Sequence, residues 1–476
     1  MNTILLINPP FSRKEEYRFW FSSLGTKANP PLGLAYIASA CIEKGYSVRI
    51  IDALAEGFTL KELKKRIAEV DPKIVGVTAT TPMINNAFEV LRLVKECSKS
   101  TLTVLGGPHI TSESFSSMQE CGDLDVGVLG EGEATFVELV EAYLSSDKRL
   151  DKVAGIIYRQ DGQSVTNRRR EYIKDINTIP LPAYDLLPMH LYSPSPLNYR
   201  RFPAISMLCS RGCPFQCSFC TKSIFGEVVR KLNPGKVYEQ VKYLVDNYKI
   251  KEIHFYDDTF ILGKDWVKEV CSYLEKLDIS WWCNGHVDII NEEVLSYLKK
   301  AGCYRIYYGV ESANEKSLRL LNKVSSVEKI RHAFKITREA KIEAGAFVIL
   351  GIPGENGQDM QRSIDLVKEI KADHAVFSIM TPYPGTEIYK DFKKYGTMNK
   401  ASWKDFIMIS DNPIFVAYST SGKELNKYLS LAYKSIIFSP RFLTNKIKDI
   451  FYCPKKLFLY TKGFIYMLKN IIKEIL

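Results

Sequence analysis

No uncharged apolar run in the 476 residues reaches the ~18 that a bilayer-spanning helix requires, so no spanning segment is expected. The start lacks a basic stretch and a small-residue cleavage site, and Ile4 to Ile7 reads as a strand, not a signal peptide. Signs of disorder are lacking too, because 46% hydrophobic and 25% charged residues make the balance of a globular chain. The eleven cysteines do not form the evenly distributed set of a secreted scaffold. One group is dense and the rest are single in apolar surroundings, which fits free thiols in a reducing cytoplasm. No recognised nucleic-acid module accompanies the net charge of +11, and from Leu431 onward only Asp449 and Glu474 oppose nine cations. The excess is thus concentrated in the tail, and nucleic acid is the least favoured partner. At ~100–200 residues per domain the length implies two to four domains.

What is present centres on Cys213-Pro214-Phe215-Gln216-Cys217-Ser218-Phe219-Cys220. Three thiolates at this spacing can hold three corners of an iron–sulfur cube and leave the last iron open for a small molecule. Arg211, just upstream, is expected to favour thiolates through its charge. Cys209 adds a fourth sulfur, and four sulfurs are also a tetrahedral zinc set. Zinc ligands usually come as two separated pairs, which favours the cluster.

Residues 3–7, 47–52, 74–78, 102–106 and 125–129 are β-branched runs separated by helical stretches, the pattern of a parallel sheet covered by helices. The turns that follow them include Thr78 to Pro82, Gly106-Gly107-Pro108-His109 and Gly130-Glu131-Gly132-Glu133. Ligands of such sheets sit at the carboxyl ends of the strands, where glycine lets a large ligand approach the backbone. A hairpin about Asp161-Gly162 and a proline-rich connector up to Pro196 follow. The alternation then resumes, with strands expected at 203–208, 252–257, 280–284, 304–310, 344–350 and 375–379, and helices such as Val237–Asn247, Trp266–Lys276, Ser326–Ala340 and Asp359–Ile370. In barrels the chemistry lies at the carboxyl ends of the strands, and the cysteine loop follows the first of them.

Cys213, Cys217, Phe219 and Cys220 match the C-x3-C-x-aromatic-C signature, and the chain resembles the radical S-adenosylmethionine (SAM) superfamily. Asn8-Pro9-Pro10, Pro30-Pro31-Leu32-Gly33-Leu34 and the two glycine turns resemble the N-terminal domain of its cobalamin-binding members. The resemblance implies an α/β architecture in which a Rossmann-like cobalamin domain (1–145), a hairpin and linker (146–200), a partial (β/α)6 barrel (201–399) and a basic, aromatic helical segment (400–476) follow one another. It implies a [4Fe–4S] cluster on Cys213, Cys217 and Cys220, with Cys209 spare. SAM would lie against Phe219, against Asp257 and Asp258 through its amino group, against Glu311, and against the backbone near Gly351 and Gly354. Cobalamin would contact Thr78, Gly106, Gly107, Gly130, Glu131 and Gly132. The chain departs from histidine-ligating cobalamin domains, because Asp52-x-Leu54-x-x-Gly57 has no histidine and follows the second strand. Any cobalamin is therefore expected without an axial protein histidine, His109 being a weak alternative.

The function these features imply is methylation of an unactivated carbon, with an external electron donor and a small-molecule or lipid substrate. A cyclase or rearrangement enzyme of the same build and a zinc-stabilised binding module are the alternatives. In the tail Phe438, Arg441, Phe442, Phe451, Tyr452, Lys455, Lys456, Phe458, Tyr460, Phe464 and Tyr466 interleave rings and cations. Such a segment can lie on a membrane interface, making the protein cytoplasmic and peripheral, or pack on the barrel with its lysines in water.

Overall fold

A computed structural model describes residues 3–11, 28–399, 402–461 and 463. Five parallel strands, β1 (Thr3–Asn8), β2 (Ser47–Asp52), β3 (Ile74–Thr78), β4 (Leu102–Gly106) and β5 (Val126–Val128), form where the sequence predicts them. The inner strands are mostly apolar because both faces are covered, whereas the edge strand β2 leaves Ser47 and Arg49 exposed. Strand β1 makes this concrete: Ile4 and Leu6 enter one core, with the helices Leu32–Glu43 and Gly132–Leu144, while Leu5 and Ile7 enter another that reaches barrel residues Ile349 and Ile352.

The hairpin β6 (Ile156–Gln160) and β7 (Gln163–Thr166) does not stand apart. It extends the same sheet, in the order β2-β1-β3-β4-β5-β6-β7, with antiparallel pairing at β5–β6. The first sheet therefore runs to Thr166, past the expected boundary at 145. The proline-rich connector is packed as well. Ala183 N–H donates to Ala35 O at 3.0 Å, Tyr192 Oη to Asp52 Oδ2 at 2.8 Å, and Gln240 Nε2 to Tyr184 Oη at 2.8 Å. It binds the first domain to the barrel helix Pro234–Tyr248.

The second half begins with β8 (Ala204–Met207) and a short antiparallel ribbon, β9 (Ser210–Arg211) with β10 (Arg230–Lys231), between whose strands the cysteine loop is strung. Then come β11 (Glu252–Phe255), β12 (Ser280–Gly285), β13 (Cys303–Glu311), β14 (Glu343–Leu350) and β15 (His374–Ile379). With β8 they form a six-stranded parallel sheet in the order β15-β14-β13-β12-β11-β8, an open half-barrel. Helices cover its outer face, and Trp282, Tyr304, Tyr307 and Phe347 form a separate aromatic cluster.

Helices Gly422–Ile437 and Pro440–Tyr452 follow the barrel, started by Ser421 and Ser439, whose hydroxyls accept from Glu424 N–H and Phe442 N–H. The first helix buries Leu425, Leu429 and Tyr433 in the barrel core. The expectation of lysines left in water fails for two of them. Lys446 and Lys456 are buried, 3.0 and 3.5 Å from Asp449 Oδ2, beside Arg305, which pairs with Glu343 at 2.8 Å. Charges can be buried there because each finds a partner. Phe464 and Tyr466 lie outside the described residues. Among the described residues no helix is long and apolar enough to cross a membrane.

Candidate active site between the two sheets

The cysteine loop is held from several sides. At its base Gly212 adopts φ +90°, and a Cβ there would press on Val228 O at 2.5 Å, so only glycine fits. Ser218 N–H donates to Leu321 O at 2.9 Å, Asn322 Nδ2 to Gln216 O at 2.8 Å, and Phe215 stacks on His286 with centroids 3.8 Å apart. Burial, followed by the fields of Asp258, Cys217 and Cys213, pushes the Cys220 thiol up to about 12, which places these sulfurs in one another's field. A cationic cluster would relieve that crowding, so this donor set fits soft, charge-compensating iron. Among the described residues no three His, Cys, Asp or Glu side chains close on one point as a single-ion cage does. Cys209 faces elsewhere, buried with its Sγ 3.3 Å from Asp257 Oδ2, and does not complete a four-sulfur zinc set.

One expectation about charge is corrected here. Arg211 does not serve the thiols: its guanidinium is buried against Glu131 and Glu133 at 2.7 and 2.5 Å. Burial opposes its charge, but the two carboxylates hold its pKa above the ordinary value. Lys323 takes the role instead. Burial raises the Cys217 pKa and Lys323 is the main opposing influence, while Lys323 itself is 3.2 Å from Glu311 Oε1. Nothing in the sequence around Lys323 marks it, since it lies over a hundred positions beyond Cys217.

At the barrel mouth Glu311 ends β13 in the left-handed region, φ +59°, beside a bulge in the β13–β14 pairing. A buried non-glycine residue in this conformation stores ~1–3 kcal/mol of strain, which functional sites tolerate. Gly309 is required because the Glu311–Lys323 pair occupies the space of its Cβ. Asp258 is exposed at the mouth, and the protein packed around its carboxyl raises its pKa with no hydrogen-bonding group among the causes. Asp257, expected beside it, is fully buried. Its Oδ1 accepts from Cys209 N–H at 3.1 Å and Ser210 Oγ at 2.5 Å, so it braces the strand end beneath the loop. Burial raises it to about 6. Phe219 is partly buried against the core shared by both sheets. At Gly351 and Gly354 the need for glycine has other causes. A Cβ on Gly351 would overlap Leu425 of the tail helix, and Gly354 N–H donates to Ser419 Oγ at 3.2 Å with φ +89°.

At the carboxyl edge of the first sheet a cleft with a cavity volume of about 270 Å³ brings together Thr78, Gly106, Gly107, Gly130, Glu131 and Gly132, the six residues the sequence singles out. Leu6, Val104, Val128 and Phe136 make part of its lining apolar. A Cβ on Gly106 or Gly130 would meet nothing within 4 Å and would project into open space, a cradle suited to a large flat ligand. Gly107 has φ +103° and approaches Ala79 O too closely for any side chain. The Glu131 carboxylate, however, is fully engaged. It accepts from Arg211, from Arg230 Nη1 at 2.7 Å and from Ile173 N–H at 2.9 Å, so it acts as a strut and not as a free ligand group. His109 is buried with its ring 4.6 Å from Trp403, is absent from the cleft lining and is not solvated.

A Rossmann-like sheet with a glycine-lined edge, facing a half-barrel that carries three cysteines after its first strand, defines an enzyme with a cofactor site on each of two facing sheets. Residues 207–367 match the radical SAM superfamily model and residues 26–140 the B12 binding domain model. The chain is 36% identical over 451 residues to the uncharacterized methyltransferase PH0819 of Pyrococcus horikoshii, with 94% of each covered. It is 29% identical over 440 residues to the anaerobic magnesium-protoporphyrin IX monomethyl ester cyclase of Rubrivivax gelatinosus, covering 86% of this chain and 79% of that one. A solved structure of the methyltransferase TsrM from Kitasatospora setae, with cobalamin and a [4Fe–4S] cluster bound, has the same fold: TM-score 0.72, 17% identity, 92% and 91% covered. The chain belongs to the radical SAM superfamily, in the group with an N-terminal B12-binding domain. Its cofactors are those of that family: a [4Fe–4S] cluster, SAM and a cobalamin.

Proposed function

We propose that the chain is a cobalamin-dependent methyltransferase acting on an unactivated carbon of a small-molecule or lipid substrate. The observation that carries this reading is the direct tie between the glycine cleft and the cysteine loop, made by Arg211 and Arg230 on Glu131. When bound, the cofactors would supply the radical and methyl-transfer chemistry, with SAM as the source of both the hydrogen-abstracting radical and the methyl group. The protein holds these partners at fixed separation and keeps water out. Cys213, Cys217 and Cys220 hold the cluster, and Phe219 lies near the adenine. Asp258 accepts from the SAM ammonium, which needs an acceptor not already committed. Glu311, steadied by Lys323, contacts the ribose or methionine part, and the backbone near Gly351 and Gly354 passes close to the adenine. Thr78, Gly106, Gly107, Gly130 and Gly132 would cradle the corrin, and an external donor would provide two electrons per turnover, one for cleavage of SAM and one for reduction of the cobalamin before remethylation.

The test is anaerobic incubation of reconstituted holoenzyme with deuterated-methyl SAM, a reductant and cell extract. Methylation predicts a product that gains the labelled methyl together with 5′-deoxyadenosine. Release of 5′-deoxyadenosine with no labelled product would instead support ring closure or rearrangement.

The tail supports a peripheral membrane contact. Leu443, Ile447 and Phe451 recur every fourth residue along one helix face and are 49%, 57% and 83% exposed, with Phe458 at 73% beyond. Lys434, Lys448 and Lys455 are exposed around them, and Asp449, the only acid between Leu431 and Thr461, is buried. An acid-free apolar ridge flanked by lysines suits an anionic bilayer surface.

A further inference from the structure

Next to the glycine cleft, sharing Pro108 with it, lies a second cavity of about 320 Å³. That is within the roughly 300–1,000 Å³ typical of small-molecule sites. One wall comes from the first sheet, through Thr80 and Thr81 after β3 and Ser112 beyond β4. The other comes from the barrel half, through Thr221, the residue after Cys220, and Tyr383 in the loop after β15. The cavity thus touches the cobalamin cleft on one side and the cluster loop on the other.

Its lining is distinctive in charge. Four aliphatic hydroxyls, one phenol and the prolines 82, 108 and 384 surround it, and among the described residues no acid or base does. Gly385 closes the loop at φ +87°, and a Cβ there would come within 2.7 Å of Ser112 Oγ and 3.0 Å of Thr221 Oγ1. These two hydroxyls, one from each half of the molecule, therefore converge at one point. Hydroxyls donate and accept equally well, and proline rings offer apolar surface without backbone donors. An ionised ligand group would find no counter-charge among these residues, which is unfavourable wherever the bound ligand displaces water.

We propose that this cavity holds the reacting part of the substrate, and that this part is uncharged: an apolar carbon framework carrying neutral hydrogen-bonding groups. The proposal rests on the methyl-transfer reading and specifies the substrate class of that site. It is tested by a charge scan at Ser112 in the reconstituted holoenzyme, with deuterated-methyl SAM and cell extract. Ser112→Asp and Ser112→Lys are both expected to lower the labelled product roughly tenfold or more, since either leaves a charge uncompensated. Ser112→Asn, uncharged but larger, should lose clearly less of the labelled product than either charged variant. All three variants should retain the corrin spectrum and reductant-dependent 5′-deoxyadenosine formation, which shows that they fold. If one sign is tolerated or raises the yield, the substrate carries the opposite charge and the proposal is overturned. If all three match wild type, the cavity is not the substrate site. Absence of label with the wild-type protein would bring down methyl transfer itself, and this inference with it.

Discussion

Arg211 Nη1 lies 2.7 Å from Glu131 Oε1, across the boundary between the two sheets. Arg211 sits two residues before the first cluster cysteine, and Glu131 lines the glycine cleft. Its ribbon partner Arg230 reaches the other oxygen of the same carboxylate at 2.7 Å, while Arg211 also grips Glu133. Two guanidiniums facing each other across a two-residue ribbon would repel if alone. The two carboxylates from the first sheet compensate them, so docking of the domains stabilises the base of the cysteine loop.

Arg211→Met should therefore destabilise the protein by about 3–5 kcal/mol, because it leaves buried carboxylates without their partner. Denaturant unfolding measures it. The double variant with Glu131→Gln should lose much less than the sum of the two single changes.

With Cys217 as a proposed iron ligand, anaerobically reconstituted Cys217→Ala should lose its iron, sulfide and 5′-deoxyadenosine formation while still binding corrin. Cys209→Ala should keep the cluster, since that thiol is buried against Asp257. Iron and sulfide analysis of both variants decides the point, and equal loss in both would restore a four-sulfur site.

Glu311→Gln keeps shape and removes charge. A charge-assisted hydrogen bond contributes about 1.5–3 kcal/mol, so the apparent KM for SAM should rise by roughly 10- to 100-fold with the cluster intact. Lys323→Met should produce a rise in the same direction by releasing Glu311, and should also change the reduction behaviour of the cluster beside Cys217.

Stability should fall as pH drops below about 6.5. Burial, helped by Arg305 and Lys446, holds His374 at about 3, with Glu343 opposing from 3.4 Å. A histidine in the unfolded chain takes up its proton near 6.5, so unfolding binds a proton throughout the interval and acid favours it by up to ~1.4 kcal/mol per pH unit per group. His254 and His286 are also held low by burial and act with the same sign. Glu343, held well below its ordinary range by Arg305, His374 and Arg200 despite burial, adds to the fall below about 4.5. His374→Gln should make stability fall less steeply between pH 6.5 and 4.5, an interval in which buried Asp257, raised to about 6, works in the opposite sense, read from urea unfolding at a series of pH values.

The tail ridge predicts binding to vesicles containing phosphatidylserine and little binding to neutral ones. Replacing Leu443, Ile447 and Phe451 together by serine should weaken it about 100-fold, at ~1.5–3 kcal/mol for each large apolar side chain and allowing for partial insertion. Lys448→Glu with Lys455→Glu should abolish the preference for anionic lipid. Flotation measures both. Truncation is the wrong instrument, because Leu425, Leu429, Lys446 and Lys456 belong to the barrel interior.

The strands were legible because parallel strands buried on both faces are short, nearly continuous apolar runs such as Ile4 to Ile7, a property of consecutive residues. The cysteine triplet and the glycine turns were legible for the same reason: their chemistry depends on local spacing and on φ. The placement of charges was not legible. Arg211, Asp257 and Glu131 each looked ready for a cofactor, and each is committed to a residue from another part of the chain. Sequence spacing carries no information about which acid meets which base across 80 or 12 positions, as Arg211 with Glu131 and Lys323 with Glu311 show. The linear chain thus determined the two sheets, their order and the thiols and glycines that serve them. Only the docking of one sheet against the other decided which carboxylates remain available to a ligand, because a charge taken from water must find its partner wherever the fold brings one.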